Sequence, residues 1–190
     1  MMRCVSISRL FAVLAILAAA LLAGATRVLD ISAHGQAAHP FEPIASVLQH
    51  PRCVNCHPNG NTPLQGDDHH PHQMKVNRGV DGSGSVVARC YACHRDQNSD
   101  LSIVPGAPSW KLAPAGMAWF GLSSRELCTV LKDRTQNGNR SLDDLVEHMD
   151  NDPLVRWGWN PGRGRAPVPI PHTEFLAFLK TWAAAGGPCP

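Results

Sequence analysis

Beyond an N-terminal apolar run, apolar residues recur at helical spacing in four stretches of the chain. The first begins at Phe41 and continues through Ile44, Val47 and Leu48, with Pro43 in the opening turn, where a missing N–H does no harm. It predicts a short helix leading into Pro51. Ser123 with Glu126 three residues on forms a capping box, and Leu127, Val130 and Leu131 make one apolar face behind it. Ser141 and Asp144 repeat that start signal, Leu142, Leu145, Val146 and Met149 share a face, and Pro153 is expected to end the helix. A last helix is predicted from about Thr173 to Ala185, with Phe175, Leu176, Leu179 and Trp182 on one side and Gly186 as its stop. No segment alternates as a strand. Residues 58–86 are almost all turn formers and read as a long functional loop, while Pro105, Pro108 and Pro114 forbid a long helix in 96–121. The fold class is therefore mainly α with extensive ordered loops.

Residues 1–25 read as a secretory signal peptide. Arg3 and Arg9 precede an unbroken apolar run from Leu10 to Ala23, and Ala23-Gly24-Ala25 offers small residues for cleavage. The run is shorter than the roughly 20 apolar residues a spanning helix needs, so membrane association is expected only if the signal stays uncleaved. Cys4 lies ahead of the run, where a lipoprotein cysteine cannot be. The mature chain is expected to start near Thr26, in the periplasm. Residues 26–40 lack periodicity and read as a linker, leaving 41–190 as one domain of a size that can bury a core. The signal carries two cations and no acid, so the remainder is close to neutral, and nucleic acid is not an expected partner. Sixteen glycines and sixteen prolines leave few residues for regular structure, and the fold needs something besides its own side chains to pack around.

The cysteines suggest what that is. Cys53-Val54-Asn55-Cys56-His57 and Cys90-Tyr91-Ala92-Cys93-His94 both match C-x-x-C-H, the pattern for covalent attachment of c-type haem. Two sulfurs three residues apart on one helical turn can reach the two vinyl groups of one porphyrin, and the next residue presents an imidazole to the iron. The expectation is two c-type haems, bound through Cys53, Cys56, Cys90 and Cys93, with His57 and His94 as proximal iron ligands. A tetrahedral zinc, two disulfides or a redox dithiol are the alternatives for the same cysteines, but they leave the adjacent histidines without a role. The motifs start only 37 residues apart, too close for two separate haem domains, so the haems are expected to share one core. Buried porphyrin would supply the apolar contact that a loop-rich chain lacks. Trp110, Trp119, Trp157 and Trp159 are candidates to pack at the haem edges.

Cys128 and Cys189 remain in the mature chain. In an oxidising compartment they are expected to pair as a disulfide, the alternative being two unrelated buried thiols. Each iron then needs a sixth ligand or keeps an open face. His69, His70, His72 and Met74 crowd the loop between the motifs, beside Asp67 and Asp68, and His72 is the preferred candidate. Met117, in the Pro-rich segment after the second motif, and His148, on the helix of residues 141–150, come next. His34 and His39 sit in the linker, where they are expected to be solvated.

The segments HPRCVNCHP, PLQGDDHHPH, ARCYACHR, GAPSWKLAP, MAWFGLSSRELC and DLVEHMDNDPLVRWGWNPG, taken in order, resemble the small exported proteobacterial proteins labelled isoquinoline 1-oxidoreductase subunit. The resemblance spans about residues 41–190. It implies a small cytochrome c-like dihaem domain that accepts electrons from a molybdenum hydroxylase-type dehydrogenase and passes them to a cytochrome or oxidase. The chain has no iron–sulfur motif of its own, because Cys128 and Cys189 are too few for a [2Fe–2S] cluster. The expected function is an exported dihaem c-type cytochrome relaying single electrons, with no activity by itself. The alternative is a dihaem peroxidase or related haem enzyme with one open iron face.

Overall fold

Four helices form where apolar spacing coincides with a start signal. In the computed structural model, which describes residues 39–190, these are α1 (Glu42–Leu48), α3 (Ser124–Lys132), α4 (Leu142–Asn151) and α6 (His172–Ala184). Two single-turn helices complete the set among the described residues, α2 (Pro51–Val54) and α5 (Pro153–Arg156), together with 3-10 turns at Cys90–Ala92 and Trp157–Trp159. The signal peptide expected at 1–25, with Cys4, and the linker up to residue 38, with His34, lie outside the described residues. No helix among the described residues is long and apolar enough to cross a membrane.

The caps explain the boundaries. Ser123 accepts a hydrogen bond from the Glu126 N–H, and the Glu126 carboxylate accepts one from the Ser123 N–H; Ser141 and Asp144 do the same for α4. At the end of α6 the Gly186 N–H reaches the Ala183 carbonyl and the Gly187 N–H reaches Trp182. This double closure requires a left-handed residue, which Gly186 supplies at φ 79°. Pro153 marks the end of α4 as expected, and it also begins a new turn. The helix before it ends at Asn151, and Asp152 then caps a new turn, its carboxylate accepting from the Leu154 N–H at 2.8 Å, so the proline opens α5 at a position that needs no donor.

The core gathers the apolar faces of all four longer helices. Phe41, Ile44, Val47 and Leu48 from α1 meet Leu127 and Leu131 from α3, Leu145 and Met149 from α4, and Phe175, Leu179 and Trp182 from α6. Phe41 and Trp182 pack with ring centres 5.3 Å apart. Asn137 is wholly buried in the α3–α4 connection, where its amide donates to the Leu131 and Arg140 carbonyls and its oxygen accepts from the Arg140 N–H. A disulfide joins Cys128 of α3 to Cys189, Cα atoms 5.6 Å apart, and fastens the C-terminal segment over α3.

The long inter-motif loop holds two small antiparallel ladders that no alternation announces. Strand β1 (Leu64–Gln65) pairs with β2 (His70–Pro71), and β3 (Gly84–Ser85) with β4 (Ala88–Arg89). Two residues per strand give no period to read, and the pairing is fixed by the turns. Asp81 accepts from the Ser83 N–H and from Arg89, which locks the second ladder. Gly84 has φ 91°, and a side chain there would run into the Ala88 carbonyl.

Two outcomes are expected. Replacing both Cys128 and Cys189 with Ser should cost about 4 kcal/mol of stability, the chain-entropy value for a loop of that size, measured by urea unfolding. Hydrogen bonds from Ser123 and Ser141 hold Glu126 and Asp144 below the usual carboxylate range. A carboxylate lowered in the folded state stabilises above its ordinary pKa and loses that contribution as pH falls through the lowered value. The stability gap between the wild type and Ser141→Ala should therefore narrow in acid.

Candidate functional site

The first motif begins where α1 hands over to α2. His50 caps α2, its ring nitrogen accepting from the Arg52 N–H, and Pro51 occupies the first turn. This places Cys53 inside the turn and Cys56 and His57 just beyond it. Val54, between the cysteines, is buried in the core and fixes which way the turn faces. His57 is then held from two sides. Its Nδ1–H donates to the Met117 carbonyl at 2.7 Å, while its own carbonyl accepts from the Trp119 N–H at 2.9 Å. The Trp119 indole lies flat on the imidazole, ring centres 3.3 Å apart and planes 10° from parallel. Gln49 holds this wall in place by donating to the Trp119 and Leu122 carbonyls.

The second motif repeats the arrangement with different parts. Cys90–Ala92 forms a 3-10 turn that leaves β4, and the Cys90 N–H donates to the Ser83 carbonyl. His94 Nδ1–H donates to the Pro105 carbonyl at 2.7 Å, and the Trp110 indole stacks on the ring at 4.5 Å and 5°. Behind Trp110 stands Trp157, edge-on at 4.9 Å, whose Nε1–H donates to Asn98. Asn98 also accepts from the Gly106 N–H and donates to the Asn160 carbonyl, so one side chain ties the segment after the motif to the 3-10 turn that follows α5.

A carbonyl can only accept, so in both histidines the proton sits on Nδ1 and the neutral ring keeps its lone pair on Nε2. No hydrogen bond engages either Nε2 among the described residues. Burial drives His57 down to about 3, opposed by the Met117 hydrogen bond and reinforced by the charges of His148 and Arg78. Burial likewise lowers His94, opposed by Pro105 and reinforced by His72 and Arg165. Both rings are thus uncharged at neutral pH.

Cys53, Cys56, Cys90 and Cys93 are free. Burial raises Cys53 to about 12, with Cys56 adding to the rise, and raises Cys56 to about 11, with Cys90 adding to it. Without a bound group both of these thiols stay protonated at neutral pH. Among the described residues no three Cys, His, Asp or Glu side chains converge to hold a metal ion by themselves. The influence of Cys90 on Cys56 also brings the two motifs into one neighbourhood. Compared with protein-family models, curated proteins and solved structures, the chain matches none.

The remaining histidines and methionines sort by what they already touch. His69 pairs with Asn55, His70 with Asp68, and His172 with the Met149 carbonyl. Met149 and Met117 lie in the core cluster, and Met117 offers His57 its carbonyl on the Nδ1 side. Met74 is 71% exposed. Two rings are left. His72 faces His94, ring centres 6.1 Å apart and planes at 68°. His148 has Nδ1 3.4 Å from the Asp152 carboxylate, which leaves its Nε2 free, and its charge is felt at His57. Of the four tryptophans singled out, Trp119 and Trp110 cover the motif histidines, Trp157 backs Trp110, and Trp159 packs on His172 and Phe175. The larger surface cleft, about 560 Å³ beside Trp157, Trp159 and His172, touches none of the motif cysteines.

Two residues outside the sequence-based candidates turn out to build the site. Asn55, in the variable part of the first motif, donates to the Gly66 carbonyl at 2.8 Å, and its backbone carbonyl accepts from the Leu64 N–H. It thereby binds the β1–β2 hairpin to α2. Arg52 is buried, sits 5.9 Å above the Trp157 ring, and pairs with Asp67 on the same hairpin. The only sequence signal for either is position beside a motif cysteine. Asp67 is 57% exposed while the Arg52 side chain is 3% exposed, so the two partners are not equivalent. Asp67→Asn leaves a buried cation short of its counter-ion and should cost about 3 kcal/mol, whereas Arg52→Met leaves a hydrated carboxylate and should cost less. Denaturant unfolding of the two variants checks the order.

Proposed function

We propose that this chain is an exported dihaem c-type cytochrome that relays single electrons. The observation that carries the reading is the duplicated clamp: in both C-x-x-C-H motifs the histidine is neutral, gives Nδ1–H to a backbone carbonyl, and keeps Nε2 free. That is the arrangement that sets the tautomer and raises the basicity of a metal-ligating histidine. The surroundings suit a porphyrin as well. Arg78 Nε and Trp119 Nε1 are buried donors without partners, and both residues act on His57, where propionates could accept from them. Val86, Val87 and Tyr91, next to the second motif, expose apolar surface that a porphyrin would cover.

Cys53 and Cys56 would hold one haem and Cys90 and Cys93 the other, each S–H adding across a vinyl group to leave a thioether, with His57 and His94 as proximal ligands. Each haem, when bound, supplies a one-electron iron couple. The chain sets the ligand field through the carbonyl-held imidazoles and keeps their rings dry with Trp119 and Trp110. Cys90 adds to the rise at Cys56, and such closeness would make the two redox centres neighbours and couple their potentials. Partners follow from the resemblance described above: a molybdenum hydroxylase-type dehydrogenase as donor, a cytochrome or oxidase as acceptor, in the periplasm. A two-electron donor could load both sites, which would then discharge singly.

Potentiometric titration of the exported protein tests the reading. Two one-electron waves, two haems per chain by pyridine haemochrome, and no peroxide turnover are expected. Peroxide turnover would transfer the assignment to a dihaem peroxidase, and a chain without haem would end the reading altogether.

A further inference from the structure

The inter-motif loop brings one histidine to the open side of another. His72 and His94 stand with ring centres 6.1 Å apart and planes at 68°. A single metal ion between two imidazoles takes about 2 Å of bond to each nitrogen, and adding the radius of each ring gives a separation of this size. The Nδ1 of His94 is turned away, toward the Pro105 carbonyl, so it is the free Nε2 side that remains for a shared metal. The His72 backbone is also firmly anchored in the loop. It follows directly on β2, its N–H donates to the Pro63 carbonyl at 2.9 Å, and its carbonyl accepts from the Lys75 N–H. The hairpin beneath it is bound to α2 by Asn55 and Arg52. His69 and His70 also bond only through Nδ1, to Asn55 and Asp68, and the buried Nε2 of His70 has no partner, but of the three rings it is His72 that stands against His94.

We propose that His72 is the second axial ligand of the iron held by His94, so that the second haem is closed by two nearly perpendicular imidazoles. The inference rests on the dihaem reading and adds to it which residue closes the second iron and in what orientation. Its competitor is simple edge-to-face packing of two histidines, which tolerates the same separation without any metal. His72 Nδ1 accepts a long, 3.3 Å bond from the Met74 N–H, and ligation through Nε2 would give that bond up by moving the proton to Nδ1. A contact of that length contributes little, so its loss is a small cost. Two histidine ligands also set the potential lower than a histidine–methionine pair would.

The test uses the full exported protein and three variants, His72→Ala, His72→Met and His70→Ala, each with its haem content counted by intact mass. The wild type should give, for one of its two haems, the highly anisotropic low-spin electron paramagnetic resonance signal of perpendicular imidazoles. In His72→Ala that signal should vanish, with one haem in two becoming high-spin and binding carbon monoxide, and added imidazole should restore the low-spin state. His72→Met should keep two haems and raise one potential, and His70→Ala should leave the spectrum as it was. If His72→Ala retains two haems with an unchanged low-spin spectrum, the ligand assignment is wrong while the dihaem reading stands. A wild-type chain that carries no haem would overturn both.

Discussion

A hydrogen bond from a histidine Nδ1 to a peptide carbonyl is the constraint on which the rest of this structure turns. It occurs twice, at His57 with Met117 and at His94 with Pro105, each at 2.7 Å. The carbonyl decides the tautomer, the stacked indole decides the ring orientation, and the two together aim a lone pair in a fixed direction. Reaching these carbonyls is what shapes the loops. The segment 105–121 has no helix, and it supplies both acceptors and both covering tryptophans, serving the two motifs from one continuous stretch. Its prolines suit that task because they leave the backbone extended and its carbonyls unclaimed by a helix.

The helical bundle is the support for this stretch. α1 packs on α3 and α6, α4 packs on α5 and α6, and the disulfide fixes the chain end to α3. What the bundle offers the site is a fixed edge: Gln49 at the end of α1 grips the Trp119 turn, Val54 of α2 anchors the first motif in the core, and Trp157 beyond α5 backs Trp110. The motifs are joined through the hairpin as well. Asn55 and Arg52 belong to the first motif's turn, yet they brace the ladder from which His72 reaches His94. The hairpin thus links the surroundings of the two motif histidines.

Short-range signals were legible in the sequence and long-range ones were not. Both capping boxes and the glycine stop of α6 appear where the residues announce them, because each depends on partners within a few positions. α5 was hidden because one residue, Asp152, closes one helix and starts the next, and the two ladders were hidden because two residues carry no period. The two motifs were visible as a pattern of spacing, and the Cys128–Cys189 pair as the two cysteines left over from it. The acceptors of the motif histidines were not visible: any residue can offer a carbonyl, and Met117 lies 60 positions from His57. Met117 drew notice for its sulfur and acts on the site through its backbone. Trp110 and Trp119 each lie against a motif histidine, a contact that spacing does not announce.

Peptide mass mapping of the natively exported protein tests the central claim most directly, because it asks what the clamped motifs hold. The expected result is that the peptides spanning Cys53–His57 and Cys90–His94 each carry the mass of one haem, and that the Cys128 and Cys189 peptides are joined only to one another. Unmodified thiols or an internal disulfide in either motif peptide would contradict the account.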